Sequence, residues 1–228
     1  MKKKVVFAMA VLVLVALACS FSPTLTDVPA ATQPSAGTGG IDQQVLFKDD
    51  FSNANSGWGQ SSTQNGTADY ANGGYEITII TTLMSKWSNP GQMFQKDVRI
   101  EVDATKLGGP DDNAFGVMCR YQDVDNFYKF YITSDGYAGV IKKESGTSTV
   151  ISTDDGTMHP VDGINLGAAT NHIRVDCIGD TLTLYANGTQ VATATDSSFQ
   201  GGDVGLVAAS YNTAGTDILF TNFYVYKP

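Results

Sequence analysis

The residues of this 228-residue chain with the reactivity or shape for a specific task are two histidines, a few loop carboxylates and one strand crowded with aromatics. His159 and His172 stand in no metal-ligand spacing and beside no candidate nucleophile, so neither a zinc centre nor a Ser-His-Asp site is expected, and no catalytic residue is assigned. Asp49-Asp50 and Asp111-Asp112, the latter inside Gly109-Pro110-Asp111-Asp112-Asn113, offer hard oxygen ligands in loops. Calcium takes such ligands. The same residue types close turns without any metal, so structural calcium is one of two readings. In Phe127-Tyr128-Lys129-Phe130-Tyr131-Ile132 the alternation places Tyr128, Phe130 and Ile132 in a core. Phe127, Lys129 and Tyr131 then face outward, beside Arg120 of the preceding strand and Tyr137 beyond the next turn. Trp87, in Lys86-Trp87-Ser88-Asn89-Pro90, reads as a loop aromatic with no evident packing duty. Trp87, Arg120, Tyr131 and Tyr137 form the candidate ligand platform; packing at the core or its rim is the competing reading.

Beyond residue 45 the apolar segments alternate with period two or form short Val/Ile/Phe/Tyr runs separated by turn residues, the pattern of an all-β domain. The expected strands are Val45 to Phe51, Gly74 to Thr82, Val98 to Lys106, Ala114 to Gln122, Asn126 to Thr133 and Tyr137 to Glu144. They continue with His172 to Ile178, Thr181 to Ala186, Gln190 to Asp196, Val204 to Ser210 and Asp217 to Tyr226. Asn187-Gly188 between two such runs predicts a tight hairpin, because both central residues tolerate positive φ. That reading outweighs the glycosylation sequons Asn187-Gly188-Thr189 and Asn65-Gly66-Thr67. Asp123 to Asn126 and Ser134-Asp135-Gly136 close two more hairpins. So many antiparallel strands cannot lie in one flat sheet without exposing an apolar face. A two-sheet sandwich follows.

The N-terminal region is of a different kind. Met1 to Lys4 is basic, Val5 to Ala18 is an unbroken run of 14 apolar or small residues, and Cys19 follows directly. The run is too short to span a bilayer, which needs about 20 residues, and has the layout of an export signal. Ala16-Leu17-Ala18-Cys19 resembles the bacterial lipobox, although the Leu stands one place late. That resemblance implies a signal at residues 1–18 and a diacylated Cys19, with the protein exported to the cell envelope and held on the outer face of a bacterial membrane. From Ser20 to Gln44 the chain is rich in Ser, Thr, Pro, Ala and Gly, so residues 19–44 read as the anchor and a disordered tether. The rest, 45–228, is one domain.

With Cys19 assigned, Cys119 and Cys177 remain in an oxidising compartment. Each shares a strand face with apolar neighbours, so both thiols face the core. A disulfide is expected, against two buried thiols too far apart to bridge. Loss of the signal removes Lys2, Lys3 and Lys4 and moves the formal charge from -9 to -12. Such acidity argues against nucleic acid and against docking on anionic lipid through basic patches.

Several segments resemble the concanavalin A-like lectin/glucanase jelly rolls, nearest to the laminin-G-like and 3-keto-disaccharide-hydrolase-like branches. They are Phe47-Lys48-Asp49-Asp50-Phe51 with Ser56-Gly57-Trp58, Gly74-Tyr75-Glu76-Ile77, Ala114-Phe115-Gly116-Val117 and Asn126-Phe127-Tyr128. His172-Ile173-Arg174-Val175, Leu182 to Gly188, Gly202-Asp203-Val204-Gly205-Leu206 and Phe220 to Val225 follow in the same order. The resemblance implies a jelly-roll sandwich that binds or hydrolyses glycans. Retaining glucanases of this fold carry Glu-x-Asp-x-x-Glu on one strand, whereas Glu101-Val102-Asp103-Ala104-Thr105-Lys106 ends in lysine where the acid/base carboxylate belongs. A solvated strand face of Arg99, Glu101, Asp103 and Thr105 is the simpler reading. The expectation is a surface lipoprotein with a non-catalytic sandwich that binds a glycan or another cell-surface ligand. The alternatives are a hydrolase of the 3-keto-disaccharide type and a structural or adhesive envelope module.

Overall fold

The computed structural model describes residues 43–228. The expected signal at 1–18, Cys19 and nearly all of the tether to residue 44 lie outside the described residues. Among the described residues the chain forms sixteen strands and no helix. The first eight are β1 (Val45–Asp49), β2 (Ser61–Thr63), β3 (Gly66–Ala71), β4 (Gly74–Ile79), β5 (Met84–Ser88), β6 (Val98–Gly108), β7 (Ala114–Asp123) and β8 (Asn126–Thr133). The others are β9 (Tyr137–Glu144), β10 (Thr147–Val150), β11 (His159–Pro160), β12 (Thr170–Ile178), β13 (Thr181–Ala186), β14 (Thr189–Thr195), β15 (Asp203–Ser210) and β16 (Thr216–Tyr226). β2, β3, β5, β10 and β11 were not expected. β2, β5, β10 and β11 are short, and β3, Gly66-Thr67-Ala68-Asp69-Tyr70-Ala71, has no large aliphatic residue, so they present almost no apolar alternation.

Two antiparallel sheets result. The nine-stranded sheet runs β14-β13-β12-β6-β16-β4-β3-β2, with β1 on the far end of β16; the seven-stranded sheet runs β10-β9-β8-β7-β15-β5, with β11 beside β9. In the central β6, Val98, Ile100, Val102 and Ala104 are buried and the residues between them are half-exposed, as strand geometry dictates. Asn187 (φ 50) and Gly188 (φ 85) make the tight turn between β13 and β14. The core packs the inner faces together, with Tyr75, Phe115, Phe130 and Phe220 among its largest members.

Cys119 of β7 and Cys177 of β12 form a disulfide between the two sheets, with Cα atoms 6.9 Å apart. Closing its loop stabilises the fold by about 4 kcal/mol through chain entropy. Next to it, between Cys119 and Asp123, the β7–β8 register slips, and Arg120 takes φ 52. The bulge turns Arg120 out of the alternation. Its guanidinium donates to Phe199 O at 2.9 Å and Gly179 O at 2.6 Å and pairs with Asp97 at 3.3 Å, tying three loops together at one end of the sandwich.

The seven-stranded sheet is unusual in being apolar on both sides. Tyr128, Phe130 and Ile132 face the main core, while Phe127, Tyr131, Met118, Ile141, Val207 and Ala209 form a second buried cluster on the outer face. A sheet face left bare in water would expose these side chains, so other elements cover it. Trp87 reaches over from β5, Val150 from β10, Met158 from the segment before β11 and Tyr211 from beyond β15.

Candidate functional site

The outer face of the seven-stranded sheet can be mapped from its register. One row across the strands reads Gly139, Tyr131, Gly116, Val207 and Trp87; the next reads Ile141, Lys129, Met118 and Gly205. Tyr131 therefore stands between two glycines. Met158 takes the place that a side chain at Gly139 would fill: a Cβ there would lie 2.8 Å from Met158 Cγ, closer than carbon atoms pack, whereas a Cβ on Gly116 would meet the Phe130 backbone carbonyl. The Tyr131 hydroxyl comes within 3.5 Å of Ser85 Oγ, so the ring lies toward β5.

A groove of about 460 Å³ opens above this row, lined by Leu83, Ser85, Lys129, Tyr131, Met158 and Tyr211 among others. A second hollow of about 350 Å³ shares Val150, Met158 and Tyr211 with it and carries the cleft on to Tyr137, Asp112 and Asp135. The floor is buried, Tyr131 being 3% exposed, while Leu83 on the lip is 77% exposed and held at φ 53. Burial raises the pKa of the Tyr131 hydroxyl, so it stays protonated and able to donate. Burial also raises Tyr211, with the charges of Asp112 and Asp135 adding to the effect. Lys129 Nζ donates to Ser148 Oγ at 3.2 Å and lies 5.3 Å from the centre of the Tyr131 ring. Burial first, and the charge of Lys143 second, push this ammonium down to about 8. The cleft thus combines apolar walls with a small set of fixed donors and acceptors, which is how small polar ligands are held.

Of the expected platform, Tyr131 forms the groove floor, Tyr137 lines the adjoining hollow, and Trp87 lies on the same sheet face, its ring 5.6 Å from that of Phe127. Trp87 belongs to strand β5 and not to a loop. Arg120 is not with them: it is 2% exposed and committed to the loop clamp beside the disulfide. Leu83, Met158 and Tyr211, which border the groove, were not foreseen. All three lie in connections without periodicity; an isolated large apolar residue such as Met158 in Asp154-Asp155-Gly156-Thr157-Met158 was the available signal.

The carboxylates considered for calcium occupy different surroundings. Asp49 accepts from Phe51 N at 2.7 Å and Trp58 Nε1 at 2.9 Å, Asp50 accepts from Ser52 N at 3.0 Å, and Asp111 pairs with Lys106. Asp112 borders the hollow beside Tyr137. Among the described residues no three His, Cys, Asp or Glu converge as a metal-ligand set. Glu101 and Asp103 lie on the outer face of the nine-stranded sheet. There His172 Nδ1 is 2.8 Å from Asp103 Oδ1, its Nε2 is 3.8 Å from Glu101 Oε2, and Asn222 donates to Asp103 at 2.8 Å. Lys106 alternates to the other face, so this acidic pair has no third carboxylate from β6.

No protein-family model and no curated protein sequence matches the chain. Solved structures do. A carbohydrate-binding module, CBM66, from Bacillus subtilis superposes with a TM-score of 0.51 at 21% identity, covering 75% of this chain and 96% of its own. The β-glucanase of Bacillus licheniformis gives 0.54 at 13% identity over 80% of this chain and 97% of the enzyme. The catalytic domain of an endo-1,3-β-glucanase (laminarinase) from Thermotoga petrophila gives 0.56 at 10% identity over 82% and 98%. At these identities the likeness is one of fold: a two-sheet jelly roll of the kind shared by carbohydrate-binding modules and concanavalin A-like glucanases.

Proposed function

We propose that this protein is a non-catalytic glycan-binding jelly roll, held outside a bacterial membrane by lipid on Cys19. One observation carries the binding role: the groove over Tyr131, open along the outer face of the seven-stranded sheet and running on to Tyr137. Sugar rings present an apolar face and a rim of hydroxyls. Tyr211, Met158 and Leu83 supply surface for the first, and Ser85, Ser148, Lys129 and Asp135 supply partners for the second. The carboxylates of the glucanase-like stretch lie on the opposite sheet, bridged by His172, which supports binding without hydrolysis.

The test is an oligosaccharide array probed with the full chain, followed by calorimetry with Leu83→Ser and Tyr211→Ala. These residues stand at the groove's edge, so the variants are expected to fold and to lose about tenfold or more in affinity. Retention of no glycan, or full affinity in both variants, overturns the binding role; turnover of any bound glycan overturns the non-catalytic one. Incorporation of labelled palmitate, abolished by Cys19→Ser, is expected for the anchor. An unlabelled chain would contradict it.

A further inference from the structure

Three cations are buried among the described residues: Lys106 at 7% exposure, Arg120 at 2% and Lys129 at 7%. Lys106 pairs with Asp111, and Arg120 with Asp97 and two carbonyls. Lys129 has only the Ser148 hydroxyl and the face of Tyr131. Buried charges are ordinarily paired, because an isolated ammonium loses its hydration with nothing in return. Lys129 and Ser148 both line the groove, so the ammonium's unfilled side opens on the space where a ligand would lie.

Resting on the reading of this groove as the glycan site, we infer that it selects an anionic sugar, one carrying a carboxylate or sulfate that Lys129 neutralises. The neighbouring charges orient such a ligand. Lys143 lies one row along the sheet, its ammonium 5.6 Å from the Trp87 ring and 5.7 Å from that of Phe127, and is engaged by Val124 O at 2.6 Å and Asp125 at 3.5 Å. Asp112 and Asp135 occupy the far end of the cleft beside Tyr137. The acidic group therefore sits at the Lys129 end, and hydroxyl donors point toward the two aspartates. Lys129 remains largely protonated at neutral pH, since burial lowers it only to about 8.

The experiment compares three ligands of similar length by calorimetry on the full chain: an oligogalacturonate, its neutral methyl ester and a sulfated oligogalactan. Acidic ligands are expected to bind about ten- to a hundredfold more tightly than the ester, the worth of one charge-assisted hydrogen bond. Lys129→Met should reduce that ratio to about one, and Lys129→Arg should restore most of it. A uronate preference with no sulfate preference, or the reverse, identifies which acid is read and supports the inference. Equal binding of acid and ester by the wild type, or a preference surviving in Lys129→Met, overturns it while leaving the glycan site standing. An acidic peptide that binds as tightly as the oligogalacturonate also overturns it. Failure to bind any of these ligands or any arrayed glycan removes the underlying site as well.

Discussion

Replacing Lys129 by methionine keeps most of the side-chain volume and removes a buried ammonium, so it measures what the folded state gives up to hold that charge. Burial, helped by Lys143, brings the group from its ordinary 10.5 to about 8. Each pH unit of such a shift corresponds to about 1.4 kcal/mol, which bounds the penalty at about 3 kcal/mol near pH 7. The variant also loses the Ser148 hydrogen bond and the contact with the Tyr131 ring, worth about 1 kcal/mol each, so a net gain of about 1–2 kcal/mol is expected. In a domain of this size that corresponds to a Tm higher by about 2–8 °C. The sign with pH follows from linkage. The folded-state value lies below the unfolded one, so the penalty is full below about pH 8 and is relieved as pH rises toward about 10.5, where the unfolded chain binds the extra proton. Urea denaturation with the disulfide intact, at about pH 7 and about pH 9.5, should therefore show the difference moving by roughly 2 kcal/mol in favour of the wild type, so that the variant's advantage disappears or slightly reverses at the higher pH. A variant less stable than wild type at neutral pH, with a gap unchanged by pH, would refute the assignment of Lys129 as a buried unpaired cation.

Removing both Cys119 and Cys177 as serines should lower stability by about 4 kcal/mol in urea denaturation, and a loss below about 1 kcal/mol would show that the bridge constrains little. Arg120→Met should cost about 1–3 kcal/mol, because Gly179 O and Phe199 O lose their donor, while the half-exposed Asp97 keeps the Gly179 amide at 2.9 Å. Measured where that variant is still folded, its glycan affinity should match wild type, since the clamp lies outside the groove. Gly139→Ala places a methyl group against Met158 and should shift that residue's NMR methyl signal and weaken binding severalfold at a stability cost of about 1 kcal/mol. An unmoved Met158 signal would mean that Met158 does not pack over Gly139.

The long alternating strands were legible because alternation is a direct imprint of a one-sided core. Val98 to Ala104 and Tyr128 to Ile132 fall inward as their spacing requires. Alternation points Phe127, Lys129 and Tyr131 of β8 outward, and the reason that outer face is nonetheless buried lies in elements too short or polar to announce themselves: β5, which brings Trp87, and the Thr/Asp/Gly-rich stretch that brings Met158. Arg120 was misplaced because counting by two assumes an unbroken strand. A single residue at positive φ after Cys119 shifts everything behind it. Lys129 was correctly placed beside Tyr131, but its lack of an acidic partner is a three-dimensional fact. Which carboxylates come near depends on how four other segments fold over the sheet.

The most direct test of the account is a crystal structure of the protein with a bound acidic oligosaccharide. A sugar lying in the groove over Tyr131, between Leu83 and Met158, with its acidic group within hydrogen-bonding distance of Lys129 Nζ, is the predicted result. A ligand seated instead on the outer face of the nine-stranded sheet, against Tyr224 and Tyr226 or between Glu101 and Asp103, would contradict it.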